Sequence, residues 1–156
     1  VALSDDGKRV FRKFCLIGIG IPLLDLAIIS ILYFSPWSIG RAEVSGGVLN
    51  LVAAGLAVTG LAIWAFFSFV IYRRLWKIFP YISEKEKGWS FAEGTFGYVG
   101  VGVFSSSVLG VFYYLFSGEY YRGLALIALS FVLFLVEAAM FPNRIAEVES
   151  VVARMD

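Results

Sequence analysis

Four long apolar runs, separated by short polar segments, occupy most of this chain. Each is near the roughly 20 residues that carry a helix across a bilayer at 1.5 Å per residue. The pattern predicts transmembrane helices over approximately residues 14–34, 47–72, 93–116 and 121–141. The fold class it implies is all-α integral membrane: four transmembrane helices as two antiparallel hairpins in a single domain.

Local signals refine the boundaries. Residues 1–13 are polar and end in Lys8, Arg9, Arg12 and Lys13 around Val10 and Phe11. The first run resembles the apolar body of a signal peptide but is too long for one, and the segment holding Pro36, Trp37 and Ser38 has no small-residue cleavage pattern. It therefore reads as a retained span. The second run is expected to continue through Tyr72, Arg73, Arg74, Leu75, Trp76 and Lys77 until Pro80 ends it. A charged loop over residues 82–90 would then lead to Ser90 as N-cap and Glu93 as its reciprocal partner in a capping box. Ser117, Gly118 and Glu119 form a turn, and Pro142 with Asn143 should close the fourth span. Beyond it, Ile145, Val148, Val151 and Val152 fall at helical spacing and suit a short amphipathic helix.

Charge gives the orientation. Eleven Lys and Arg residues fall on one side of this arrangement, while Arg41 and Arg122 fall on the other. The positive-inside rule then puts both termini and the middle loop in the cytoplasm, in a cell membrane. Trp37, Trp76, Trp89, Tyr72, Tyr81, Tyr120 and Tyr121 lie near span ends, as interfacial aromatic belts do. The composition agrees: 60% of the 156 residues are hydrophobic and the mean hydropathy is +0.83. Net charge is only +1, so total charge points to no nucleic-acid partner.

Two sequence features narrow the chemistry. The chain has no histidine, which removes His-ligated haem, His-containing zinc and copper sites and His general bases. Its single cysteine, Cys15, allows no intrachain disulfide or CxxC redox pair. It reads as a small buried hydrophobe, with lipidation as the other possibility. No cofactor, no metal and no enzymatic activity are expected.

Asp25 is the leading candidate for a proton or ion site, with Ser107 the second. Asp25 lies near the middle of the first span, about 16 Å from its basic end by helix rise. An ionised carboxylate there costs at least about 2.5–3.5 kcal/mol, so the group should face the bundle or water. Pro22, one turn earlier, frees a backbone carbonyl. Asp25 is either the centre of a proton-coupled path or a hydrogen-bonded tie between helices. Ser105, Ser106 and Ser107 interrupt the third span, and at least one should face protein. With neither a histidine nor an intramembrane lysine they read as packing residues rather than nucleophiles.

The first and third spans share a pattern. Ile17-Gly18-Ile19-Gly20-Ile21 and Tyr33-Phe34-Ser35 recur as Val99-Gly100-Val101-Gly102-Val103 and Leu115-Phe116-Ser117, always 82 residues on. This is either chance or a duplicated hairpin. In the second case Asp25 corresponds to Ser107 and the two spans face each other across a pseudo-twofold along the membrane normal. Many other glycines, Gly55, Gly60, Gly94, Gly97 and Gly110 among them, suit close helix packing, as do Ala53, Ala54, Ala57 and Ala65. The bulky Phe131, Leu133, Phe134 and Leu135 suggest that the fourth span faces lipid or a partner.

Glu137 lies roughly 6–7 Å inside the end of the fourth span and is placed to reach the interface or pair with Arg144 or a basic residue of the middle loop. It differs from Asp25 in depth by about 9 Å, which does not suit a close carboxylate pair and argues against a two-carboxylate hydrolase or a dimetal site. Arg73, Arg74, Trp76 and Lys77 form a basic aromatic collar for anionic lipid headgroups or an acidic partner. The expected partners are membrane lipids and other integral membrane subunits or further copies of the chain. Together these readings favour a non-catalytic subunit or scaffold of a larger membrane complex. A small oligomeric proton-coupled transporter or channel built on Asp25 is the alternative.

Overall fold

A computed structural model describes residues 3–35 and 45–155, so Pro36, Trp37 and Arg41 lie outside the described residues. The described residues are helical almost throughout. Helix α1 spans Asp5–Phe34 and α2 spans Gly46–Ala65; α2 runs through a π-helical segment, Phe66–Ile71, into α3 at Tyr72–Ile78. A 3-10 turn at Phe79–Tyr81 ends this rod at Pro80, and α4 (Lys85–Ser117) and α5 (Tyr120–Val152) follow. Four of these units, α1, the α2–α3 rod, α4 and α5, are long and apolar enough to cross a membrane.

Several ends differ from the sequence expectation. Helix α1 starts at Asp5 because the Ser4 hydroxyl accepts from the Gly7 amide, and Asp5 and Asp6 complement the helix dipole. Helix α4 starts five residues before Ser90, with Glu84 at its N-cap, so the expected capping box is not formed. Glu93 instead turns outward to Lys13 Nζ at 2.9 Å and Arg9 Nε at 3.5 Å. Pro142 does not close the fourth helix. The chain stays helical to Val152, because Ile145, Val148 and Val152 are buried and Arg144 bonds back to Glu137 across the proline. Gly118 supplies the expected turn: at φ 67° it is left-handed, and its amide bonds the Tyr114 carbonyl.

Helix directions alternate. Helix α4 packs antiparallel on α5, with Ser106 reaching Leu126 and Gly110 against Gly123. It also packs antiparallel on α2, with Tyr113 reaching Leu49 and Gly60 against Ser106. Helix α1 runs parallel to α4 and packs on α4 and α5 but scarcely touches α2. Only the second expected hairpin is therefore a packed one; the first two helices flank α4 separately. The α1–α4 register follows the 82-residue offset, with Gly18 near Gly100 and Asp25 bonded to Ser107. The second and fourth helices do not extend the symmetry, since α5 packs along α4 while α2 leaves α1.

The expectation for the fourth span holds for Leu135, which is 66% exposed, but not for its neighbours. Leu133 and Phe134 are buried, and Phe134 stacks on Phe14 at 5.3 Å. The α2–α3 rod is the least covered helix, because α1 leaves one flank open. Gly55 has open space where a Cβ would stand.

The helices are longer than the apolar slab requires. About 30 residues of helix span about 45 Å, against about 30 Å of hydrocarbon. The excess gathers at the basic end. There Val10, Leu75, Phe79, Trp89, Ala92, Ile145, Val148 and Val152 form a buried core among the charged segments. This collar is stabilised by ordinary apolar burial from water, a driving force that lipid-embedded helix contacts lack.

Between α4 and α5 the backbones nearly touch: a Cβ on Gly110 would stand 2.7 Å from the Gly123 carbonyl oxygen. Gly110→Ala is expected to lower stability by about 1–3 kcal/mol through forced separation of the helices. Gly55→Ala should leave it unchanged, and unfolding of both variants in mixed micelles checks the contrast.

Candidate functional site

Two polar clusters lie inside the bundle. The first joins α1 to α4 at mid-length. Asp25 is buried at 8% exposure, and its Oδ2 lies 2.6 Å from the buried Ser107 hydroxyl. Ser107 Oγ is also 2.8 Å from the carbonyl oxygen of Phe104. Both residues singled out for a proton or ion site are thus brought together, in the register of the shared sequence pattern. Pro22 is buried one turn below, inside an uninterrupted α1. Ser106 points the other way and donates to the Leu126 carbonyl of α5 at 2.9 Å, while Ser105 folds back on Gly102.

The second cluster joins the α2–α3 rod to α5 towards the basic end. Glu137 is 2% exposed and Arg144 is 8% exposed. Arg144 Nη1 donates to Glu137 Oε2 at 2.6 Å, and Nη2 donates to the fully buried Ser68 hydroxyl at 3.0 Å. The other Glu137 oxygen accepts from the Trp64 indole at 2.9 Å. The guanidinium carbon lies 4.6 Å from the Tyr72 ring centroid, and the Tyr72 hydroxyl donates to Glu147 at 3.0 Å. The guanidinium is therefore held by a carboxylate, a hydroxyl and an aromatic face.

The π-helical segment explains why one helix supplies three of these groups. Trp64, Ser68 and Tyr72 are four residues apart. In a regular α-helix that spacing drifts around the axis, because four residues exceed a turn of 3.6. The wider i→i+5 turn between Phe66 and Ile71 brings the spacing closer to one full turn. All three side chains then reach α5.

The pairing of Glu137 with Arg144 agrees with the sequence reading; Ser68 and Trp64 are additions to it. Ser68 is a lone hydroxyl in an aromatic run, and Trp64 lies well inside its span rather than in a belt. Both could have been noted as polar groups at membrane depth. The π turn that aligns them has no signature in the sequence.

Arg73, Arg74 and Lys77 stand exposed on α3. Trp76 is partly buried and stacks on Phe79 at 5.7 Å, so the tryptophan serves packing while the cations remain free of the core. Asp25 and Glu137 have separate partners, and among the described residues no group of three or more Cys, Asp or Glu side chains could hold a metal ion. No family model, curated protein or solved structure matches the chain.

Removing one member of the buried ion pair leaves the other charge uncompensated. Arg144→Met is expected to cost about 3–5 kcal/mol, whereas Arg144→Met combined with Glu137→Leu should cost less than the single change. A double-mutant cycle on unfolding in micelles reads this directly. Equal or greater loss in the double variant would remove the pair as the organising contact.

Proposed function

We propose that this chain is a non-catalytic integral membrane subunit or scaffold of a larger membrane protein complex. One observation carries the reading: the acidic side chains deep in the apolar stretches, with several hydroxyls, tie one helix to another. Asp25 and Ser107 join α1 to α4, Ser106 joins α4 to α5, and Tyr113 donates to the Leu49 carbonyl of α2. Glu137 and Arg144 hold Trp64 and Ser68. These groups are engaged in building the bundle rather than arranged around a reacting centre. The outer face of α2, with Gly47, Leu51, Ala54, Gly55, Val58 and Ala62 exposed, is available to another helix, whose backbone the small residues admit closely.

Orientation belongs to the same proposal. The basic collar supports placing both termini in the cytoplasm of a cell, with the exposed Arg73, Arg74 and Lys77 at the headgroup level of the cell membrane. Membrane lipids and further integral subunits, or other copies of the chain, are then its partners.

The alternative is a small proton-coupled transporter or channel, and the buried Asp25–Ser107 contact beside Pro22 is the observation in its favour. Native mass spectrometry after gentle extraction separates the two. Release with other, larger subunits at fixed stoichiometry is the expected result. Assembly should survive Asp25→Asn and fall with Asp25→Leu, which removes hydrogen-bonding capacity. A lone homo-oligomer whose pH-dependent proton flux in liposomes disappears in Asp25→Asn would replace the subunit reading with the transporter.

A further inference from the structure

We propose that Asp25 is a proton-binding site in the packed bundle: its carboxyl carries a proton and donates it to Ser107, which in turn donates to the Phe104 carbonyl. The inference concerns the chemical state of this contact and does not rest on the subunit reading.

Hydrogen counting carries it. Ser107 Oγ has two close oxygen neighbours, Asp25 Oδ2 at 2.6 Å and the Phe104 carbonyl oxygen at 2.8 Å. A serine hydroxyl owns one hydrogen. The Phe104 carbonyl is only an acceptor, and so is an ionised carboxylate. With Asp25 ionised, one of the two contacts would join two oxygens with no hydrogen between them. With Asp25 protonated, both contacts are filled: the acid O–H donates to Ser107 Oγ, and the Ser107 O–H donates to Phe104. Both distances suit O–H···O bonds.

The surroundings favour the same state. Helix α1 packs against α4 and α5. On α4 the nearest titratable or charged side chains either side of this level are Tyr98 and Tyr113, and on α5 they are Arg122 and Glu137. On α1 itself they are Cys15 and Tyr33, and the α2 run between Asn50 and Tyr72 contains none. Arg122 is taken by Glu119 and Asn50 at the far end, and Glu137 by Arg144. Among the described residues no cation stands where it would neutralise a carboxylate at Asp25. An unpaired charge there would be desolvated without compensation, and a bound proton removes that penalty.

Infrared difference spectroscopy in lipid bilayers tests the proton. Wild type minus Asp25→Asn at pH 7 should show a carboxylic-acid C=O band, and Ser107→Ala should shift it by removing the hydrogen-bond partner. Asn can donate in place of the acid, so Asp25→Asn is expected to keep the wild-type melting temperature. A second measurement needs no variant at Asp25. In protein carrying 13C-labelled aspartate, one of the four aspartate carboxyls should give the acid signal at pH 7 in solid-state NMR. Carboxylate signals from all four, or a carboxylate pair in the infrared difference at pH 7, would overturn the proposal.

Discussion

A polar group on a helix surrounded by lipid has no water to turn to, and this constraint shapes the whole bundle. Apolar contact between helices brings no hydrophobic gain in that setting, since lipid chains are as apolar as leucine. Close backbone approach and interhelical hydrogen bonds must then select the arrangement. The structure follows this division. Gly110 with Gly123 and Gly60 with Ser106 set how near the helices come. Asp25, Ser106, Tyr113 and Glu137 set which helix meets which, since each bonds a group on a different helix. Leucine and valine fill the space between and carry little of the choice.

The ends of the bundle obey a different balance. At the basic end the helices run past the apolar slab, and Trp89, Ile145, Val148 and Val152 are buried where water would otherwise reach them. The exposed ion pairs around them, such as Lys13 with Glu93, are worth about 0–1 kcal/mol each and do not explain the extension. Apolar burial does, and it also explains how a helix passes through Pro142. The lost amide bond is local, while the residues beyond the proline bury four apolar side chains or stems, counting the stem of Arg144.

Much of the fold was legible because a hydrophobic run of bilayer length has few other meanings. The four helices and the Gly118 turn follow from run length and local chemistry. The errors share a cause. Ser90 with Glu93 and Pro142 with Asn143 are local end signals, and tertiary packing overrode both. The exposure of the fourth span was only partly right, because all its bulky residues were read as lipid-facing while only some, such as Leu135, are. Phe134 is large and buried, packed on Phe14 and against Gly18, and the exposed helix, α2, is the one with small residues to spare. Size alone does not indicate which face meets lipid when lipid and protein interior are equally apolar. Of the polar sites, Asp25 and Glu137 were visible because charge at such depth is rare. Ser68 was not, because a single hydroxyl is inexpensive in a helix and only the π turn makes it reach Arg144.

The 82-residue offset links these levels. Two parallel helices with matching patterns can be packed in many registers, yet Gly18 sits by Gly100 and Asp25 by Ser107. Equivalent positions meet in this way when a pseudo-twofold passes between the helices. The symmetry stops there, for α5 lies along α4 while α2 crosses to the other flank of α4. That departure has a physical basis in the Glu137 cluster. Trp64, Ser68 and Tyr72 anchor the second helix to α5 and α4 rather than to α1, and the π turn supplies the alignment they need. Aspartate and serine at the equivalent positions also break the symmetry, because one must donate where the other accepts. Two serines in these places could each donate or accept, so residue type would not set the direction of the bond. The difference between the two positions is what turns a shared packing pattern into a specific contact.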